Sequence, residues 1–324
     1  MGEPAICLTW RHTSGTILRA GALLMIVIIG VTRRLGKAVA ERFLRDGISF
    51  RGACRNVAKA QSLADRGVEI VALDLETGAG LAQALSGMTK VVSCVHGLLG
   101  QSRASIDRID IQGQSALIDA AAKAGLERFV FISALGASPH HPAELWRAKA
   151  RAEQHLKASG MKYVILRPSA FMDLYAHDLV GAAILGGKPA VVLGSGKMAR
   201  NMIAVEDVAA AAVTALVRDD LTNVTIEIGG WESLNGRDIA ATYASLSGGK
   251  AKLYAVPPLA LRALASLISP FHAGIGHLLR LPLQLVGRED LHLDASSWTA
   301  LLGIDPIRLE DFAAQKLLSE SERY

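Results

Sequence analysis

Short apolar runs alternate with amphipathic segments from residue 23 to about residue 167. The apolar runs are rich in Val and Ile and are typical of buried strands. They predict strands near 23–29, 48–54, 68–73, 90–95, 128–133 and 162–167. The segments between them predict helices near 35–46, 57–66, 78–86, 105–125 and 143–159. Because this alternation produces right-handed crossovers, we predict an α/β fold with a doubly wound parallel sheet, Rossmann-like in form.

A glycine follows each of these predicted helices, where a left-handed residue ends a helix at little cost. These glycines are Gly47, Gly67, Gly87, Gly125 and Gly160. The alternation becomes irregular after Pro168, where shorter strands are predicted near 189–193, 200–203 and 223–228. A helix near 205–218 is expected to return to the main sheet.

The first strand ends in a glycine turn. Gly30 follows the apolar run, and Gly36 opens the next helix. Glycine lets the backbone bend after a strand and lets the helix pack close to it, while the helix N-terminus offers free N–H groups to an anion. Arg33 replaces the middle glycine of the usual pattern. The turn predicts a dinucleotide site formed by Gly30, Thr32, Arg33, Arg34, Leu35 and Gly36.

The end of the second strand indicates which dinucleotide is preferred. An acidic residue there binds the ribose of NAD, whereas a basic residue accommodates the 2′-phosphate of NADP. Here the strand ends in Cys54 and Arg55, with no carboxylate. Guanidinium groups bind phosphate through paired hydrogen bonds, so Arg55 predicts that NADP(H) is preferred, with NAD(H) possible.

Three later strand ends lie on the cofactor side of such a sheet. Asp74 follows the third strand and is expected to accept a hydrogen bond from the adenine amino group or to cap a helix. His96 follows the fourth strand and Ser133 the fifth. We therefore expect Asp74 and His96 to contact the cofactor.

Composition narrows the possible function. The chain has 324 residues, of which 51% are hydrophobic, and a net charge of +5. Its basic residues are scattered, which argues against nucleic acid as a partner. The cysteines and histidines show no metal-ligand spacing, and no metal is expected. The three cysteines indicate no disulfide framework, so a cytoplasmic protein is expected, and no apolar run is long enough for a membrane span.

The order of these motifs resembles that of the atypical, NmrA-like NAD(P)-binding branch of the short-chain dehydrogenase/reductase superfamily. This branch includes isoflavone-reductase-like and quinone-reductase-like proteins. The resemblance covers about residues 23–230. Besides the glycine turn and Arg55, it rests on Asp74-Leu75, the strand 128–133, Lys149 and Leu166-Arg167-Pro168.

The resemblance implies roles for individual residues. In the wider superfamily a Tyr-x-x-x-Lys pair transfers the proton, the lysine binds the nicotinamide ribose, and a serine polarises the substrate carbonyl. Lys149 and Ser133 match the lysine and the serine, and Leu75 is expected to bind the cofactor beside Asp74. Leu145 occupies the tyrosine position and cannot donate a proton. Tyr175, or else His177, is the predicted alternative donor.

The predicted organisation has three parts. Residues 1–20 form a poorly packed arm or precede the native start, residues 21–168 form the dinucleotide-binding domain, and residues 169–324 contain a smaller substrate lobe. The apolar segment 255–287 predicts core helices, a substrate pocket, a dimer face, or a peripheral contact with a membrane or a larger complex.

Two functions follow from these expectations. One is an NADP(H)-dependent oxidoreductase that transfers hydride to a small apolar acceptor such as a quinone, an enone or an activated double bond. The other is a non-catalytic NAD(P)-binding sensor, or an accessory or assembly subunit of a membrane-linked complex.

Overall fold

The computed structural model describes residues 25–98, 100, 102, 104–193, 196–249, 251–284 and 293–321. The predicted arm 1–20 and the end of segment 255–287 lie outside the described residues. The strands are β1 (Ile26–Ile29), β2 (Phe50–Cys54), β3 (Glu69–Ala72), β4 (Lys90–Ser93), β5 (Arg128–Ile132), β6 (Lys162–Pro168), β7 (Ala170–Phe171), β8 (Ala190–Leu193), β9 (Arg200–Ile203), β10 (Val224–Ile228), β11 (Ser233–Leu234) and β12 (Leu253–Val256).

The helices alternate with the strands through the first half of the chain and then cluster near its end. They are α1 (Arg34–Arg45), α2 (Gln61–Ala64), α3 (Leu81–Leu85), α4 (Gln114–Lys123), α5 (Glu144–Ala158), α6 (Ala182–Leu185), α7 (Val205–Val217), α8 (Gly236–Ser247), α9 (Pro258–Ile268), α10 (Ala273–Gln284), α11 (Ser296–Leu302) and α12 (Leu309–Ser321).

A seven-stranded sheet in the order β10-β6-β5-β4-β1-β2-β3 forms the centre of the molecule. Every neighbouring pair in it is parallel. The predicted doubly wound α/β fold is therefore confirmed. All six strands predicted before Pro168 are present, and β10 extends the sheet beyond β6, because the chain returns to it through α7.

Helices cover both faces of this sheet, because consecutive strand residues point to opposite sides. Ile26 and Ile28 pack with α1 and α7, whereas Val27 and Ile29 pack on the side of α3 and α4. The predicted return of the helix near 205–218 is confirmed, since α7 packs against α1 and against β4, β5 and β6.

Three predicted helices are shorter or more irregular than expected. Residues 57–66 form a 3₁₀ turn, Val57–Ala60, before the single turn of α2. In the segment 78–86, left-handed φ angles of 76° at Gly78 and 89° at Gly80 delay the start of α3. The predicted helix 105–125 contains a π-helical segment, Asp107–Gly113, ahead of α4.

A smaller lobe is built from two further sheets and several helices. β7, β9 and β11 form one sheet, and β8 pairs with β12 in the other. Their shared core includes Tyr243 and Phe312, both buried. The lobe boundary at residue 168 remains a prediction.

Across the described parts of the chain, every helix falls short of the length and hydropathy that crossing a bilayer demands.

Candidate functional site

The turn between β1 and α1 has a shape that only glycine permits. Gly30 has a left-handed φ of 87°, and a Cβ atom there would lie 2.5 Å from Val95 Cγ2. A Cβ atom at Gly36 would overlap the carbonyl oxygen of Gly30, because α1 starts directly against the end of β1. Both glycines therefore have the backbone roles that the sequence predicts.

The N-terminus of α1 is open to an anion. Arg33 is its N-cap residue, and no side chain caps the helix or places a carboxylate in the first turn. The first amides of the helix therefore lack a side-chain partner, as phosphate binding requires. Arg33 has φ −83° and ψ 156°, an extended conformation open to any residue, so the missing middle glycine causes no backbone strain.

A cleft opens at the carboxyl edge of the sheet beside this turn. It is lined by the predicted residues Gly30, Thr32, Arg33, Arg55, Asp74 and Leu75. Residues that the sequence reasoning missed also line it, among them Asn56, Lys59, Glu76, Val95 and Ile109. Asn56 and Lys59 lie within five residues of the end of β2, so the strand-end argument that identified Arg55 extends to them. Nothing in the local sequence marks Ile109 as a cleft residue.

The cleft contains three cations that form no ion pair with a described residue, and the carboxylates of Asp74 and Glu76 also line it. Arg33, Arg55 and Lys59 are exposed cleft residues, and none forms an ion pair with a described residue. Arg34 differs, since its Nη2 lies 2.6 Å from Asp178 Oδ2 and it is not among the residues that line the cleft. Leu35 is buried in the core. The side chains of Arg34 and Leu35 do not line the cleft. The cofactor contact predicted for these two residues would therefore be made by their backbone amides.

Asp74 stabilises the loop after β3. Its Oδ1 accepts a hydrogen bond from the backbone N–H of Glu76 at 3.0 Å, which is a turn rather than the helix cap that the sequence offered. The same side chain lines the cleft. Because a carboxylate oxygen accepts more than one hydrogen bond, the predicted contact with adenine is compatible with this turn.

Lys149 lies in a buried ion pair. Its Nζ is 3.1 Å from Asp110 Oδ1, 3.2 Å from the carbonyl oxygen of Val95 and 4.9 Å from the centre of the Phe131 ring. Asp110 is fully buried, and its Oδ2 accepts the N–H of Gly97 at 2.6 Å. Lys149 is therefore buried rather than exposed to solvent. Asp110 is a site residue that the sequence reasoning missed.

His96 lies beside this ion pair and is neutral at pH 7. Burial lowers the pKa of His96 to about 4; Asp110 opposes the shift, while Lys149 and Arg33 add to it. Its buried Nδ1 has no hydrogen-bond partner among the described residues. A buried ring nitrogen without a partner is costly, and a bound ligand would relieve that cost. This arrangement fits the prediction that His96 contacts a cofactor.

Leu145 places an apolar surface one helical turn before Lys149. It is buried with Ile106 and Ala148, and Leu98 and Trp146 pack against this group. Leu145 therefore contributes only buried apolar surface at the position that corresponds to the tyrosine.

Ser133 has a structural partner. Its hydroxyl donates a hydrogen bond to Glu153, and Arg167 donates to the same carboxylate from Nε at 2.9 Å and from Nη2 at 2.7 Å. These contacts join the end of β5 to α5 and β6. The hydrogen of Ser133 is therefore directed at Glu153, and its predicted role toward a substrate carbonyl remains a prediction.

Tyr175 and His177 lie in a π-helical segment, Asp173–Gly181, of the smaller lobe. Arg200 stacks on the Tyr175 ring at 5.1 Å, and His177 Nδ1 lies 3.3 Å from the Tyr243 hydroxyl. Burial raises the pKa of Tyr175, although Arg200 opposes the shift. A raised pKa makes the phenol a weaker acid. The structure therefore does not favour Tyr175 as proton donor, and that role remains a prediction.

Comparison with known proteins identifies the family. A family model described as NAD(P)H-binding matches residues 30–219, more than half of the chain. The chain belongs to this NAD(P)H-binding family. The NAD(P)H azoreductase of Xenophilus azovorans is 30% identical over 235 residues, covering 72% of this chain and 77% of that protein. The photosystem II assembly factor Ycf39 of Guillardia theta is 28% identical over 291 residues, covering 87% and 89%.

Solved structures show the same fold. The NADPH-dependent quinone oxidoreductase QOR2 of Escherichia coli, complexed with NADPH, has a TM-score of 0.74 at 24% identity. The triphenylmethane reductase of Citrobacter sp., complexed with NADP(H), also has a TM-score of 0.74, at 18% identity. Each match covers 90% of this chain and 99% of the other. The prediction of an NAD(P)-binding family with a Rossmann-like fold is confirmed, and the cofactor is NAD(P)H.

Proposed function

We propose that this protein is an oxidoreductase that prefers NADPH and transfers hydride to a small apolar acceptor such as a quinone, an enone or another activated double bond. The observation that carries the cofactor preference is the set of unpaired cations in the cleft. Arg55 and Lys59 follow β2, where an NAD-specific site would have a carboxylate. Arg33 adds a further charge beside the glycine turn.

Each part of the cleft suits one part of the dinucleotide. The first amides of α1 would hold the pyrophosphate, Arg55 and Lys59 the 2′-phosphate, and Asp74 with Leu75 the adenine. Lys149 would hold the nicotinamide ribose, because Asp110 and Val95 position its ammonium group. The bound cofactor supplies the hydride. The chain supplies position, charge and exclusion of water.

The apolar character of the acceptor is proposed from Leu145 and its neighbours. They cover the position where related enzymes have a proton-donating tyrosine, which suits a conjugated acceptor better than a simple carbonyl. The names of the similar proteins support this choice, since they specify azo compounds, quinones and triphenylmethane compounds as acceptors.

Replacement of Arg55 tests the cofactor preference. Arg55→Ala should weaken NADPH binding by roughly 1.5 to 3 kcal/mol, because a charged hydrogen bond is lost, and should leave NADH binding nearly unchanged. Fluorescence titration with both cofactors measures the difference. Arg45→Ala is the matched control, since Arg45 is an exposed arginine at the opposite end of α1. Equal weakening of NADPH and NADH would contradict the assignment.

A second candidate function is a non-catalytic NAD(P)H-binding subunit of a membrane-linked complex. Leu145 favours it, because the usual proton donor is absent, and the similarity to the assembly factor Ycf39 supports it. Oxidation of NADPH with a panel of quinones separates the two functions. An enzyme should consume NADPH at a rate that Lys149→Ala abolishes. Tight NADPH binding without turnover would favour the subunit.

A further inference from the structure

The helical hairpin formed by α9 and α10 presents apolar side chains to solvent. Leu259 and Leu267 of α9 are 78% and 70% exposed, and Phe271, which follows the helix, is 90% exposed. Leu264 and Ile275 are also exposed. The opposite side of α9 packs inward through Leu261 and Ala265. Both sides of α9 are therefore apolar, whereas a helix on a protein surface normally shows polar residues to water.

The Lys, Arg, Asp and Glu residues within this stretch of sequence are all basic. Residues 239–288 contain no Asp or Glu, although the whole chain has 30 acidic residues. The same stretch contains Lys250, Lys252, Arg262, Arg280 and Arg288. Arg262 is exposed on α9 itself. Exposed apolar residues flanked only by basic ones are the pattern of a helix that lies in the interface of an anionic membrane.

We propose that the α9–α10 hairpin, residues 258–284, docks on the surface of a lipid bilayer that contains anionic lipids. Leu259, Leu267 and Phe271 would enter the boundary between head groups and acyl chains, and Arg262 would remain among the phosphates. Neither helix is long enough to span the bilayer, so the hairpin lies on the membrane. This proposal does not depend on the hydride-transfer function.

Charge disfavours a second copy of the chain as the occupant. A two-fold dimer through this face would bury the same patch of both copies against each other. The basic residues of both patches would then share one interface, and the stretch contains no carboxylate to compensate. A lipid surface with negative head groups provides the opposite charge over the whole face.

The position of the hairpin also relates it to the proposed active site. Ser269, Ala273, His277 and Arg280 share a cavity with Glu144, the first residue of α5. The next residue is Leu145, and Lys149 follows one turn later on the same helix. If the proposed function holds, docking places the acceptor side of the site beside the membrane, where an apolar acceptor such as a quinone is dissolved.

Co-sedimentation with vesicles tests the docking. The full chain should bind vesicles of three parts phosphatidylcholine and one part phosphatidylglycerol, and should bind pure phosphatidylcholine at least tenfold more weakly. The double variant Leu267→Glu/Phe271→Glu should lower the partition coefficient at least tenfold. Arg262→Ala should lower it roughly fivefold, because one basic contact is lost.

Leu301→Glu is the matched control, because Leu301 is an exposed leucine on α11, away from the hairpin. It should bind vesicles like the parent chain. Failure of the parent chain to bind anionic vesicles would overturn the proposal, as would equal loss in the control. So would a dimer in light scattering that Phe271→Glu dissociates while vesicle binding stays unchanged. NADPH titration of each variant checks the fold, and loss of turnover alone would contradict only the hydride-transfer function.

Discussion

Lys149 and Asp110 form a charged pair that water barely reaches. Their side chains are 5% and 0% exposed, so each charge depends on the other for its stabilisation. A buried pair contributes little net stability compared with apolar residues of similar size, but removal of one partner leaves an uncompensated charge. We therefore infer that the role of the pair is to position the Lys149 ammonium group beside the carbonyl oxygen of Val95.

A double-mutant cycle tests this interpretation. Asp110→Asn keeps an acceptor for the Gly97 N–H but removes the charge, and we expect it to lower the free energy of unfolding by about 3 to 5 kcal/mol. Adding Lys149→Met should recover part of that loss, with a coupling energy of roughly 1 to 3 kcal/mol. Urea unfolding of both single variants and of the double variant measures it. Strictly additive effects would show that the two charges do not interact.

At the scale of elements, the C-terminus of α7 is held by cations at the amino edge of the sheet. Arg128, the first residue of β5, donates hydrogen bonds to the carbonyl groups of Ala215, Arg218 and Asp219. Lys90, the first residue of β4, donates to Leu216 at 2.9 Å. Positive charge at the end of a helix also stabilises its dipole. These contacts fix α7 on the sheet at the edge opposite the cofactor cleft.

Replacement of Arg128 should therefore separate stability from cofactor binding. Arg128→Met should lower the free energy of unfolding by roughly 3 kcal/mol, because buried carbonyl groups lose a charged donor. NADPH affinity should stay within about twofold of the parent value, since the cleft is at the other edge. Chemical unfolding and NADPH titration test both statements. Arg151→Met, at an exposed arginine of α5, should change neither. A parallel fall in NADPH affinity would contradict this separation.

At the scale of the whole molecule, buried carboxylates connect the main sheet layer to the smaller lobe. Asp207, in the first turn of α7, accepts the N–H of Ile307 at 3.0 Å just before α12 begins. Asp173 accepts the N–H of Val205 and lies 3.0 Å from Lys316 Nζ. Burial raises the pKa of Asp207 from 3.8 to about 7, although hydrogen bonds from Ile307 and Ala204 oppose the shift.

The free energy of unfolding should consequently fall as the pH rises from about 4 to about 7, which is the range between the unfolded and the folded pKa of Asp207. The folded pKa of Asp207 lies above its unfolded value, so between about pH 4 and 7 the folded state binds more protons than the unfolded state. Asp207→Asn should reduce the loss of stability between pH 5 and pH 8, measured by urea unfolding. Asp311→Asn, at an exposed position of α12, should leave the slope unchanged. An unaltered slope in Asp207→Asn would contradict the shifted pKa.

The helices show where sequence reasoning loses accuracy. The strands before Pro168 were predicted correctly, because each is a short apolar run with a clear end. The helix predicted at 105–125 contains a π-helical segment, Asp107–Gly113, in which Asp110 pairs with Lys149. That distortion depends on a partner in another element, and helical spacing of apolar residues contains no information about it.

The sequence by itself determined the alternation of strands and helices, the glycine turn at Gly30 and Gly36, and the basic end of β2. These features are local, because apolar periodicity and backbone conformation act over a few neighbouring residues. Only the tertiary structure decided that Asp110 pairs with Lys149 and that Arg34 turns to Asp178, 144 positions away. Ion pairs between distant residues depend on how elements pack together, and packing places a side chain in water, in a cleft or in the core.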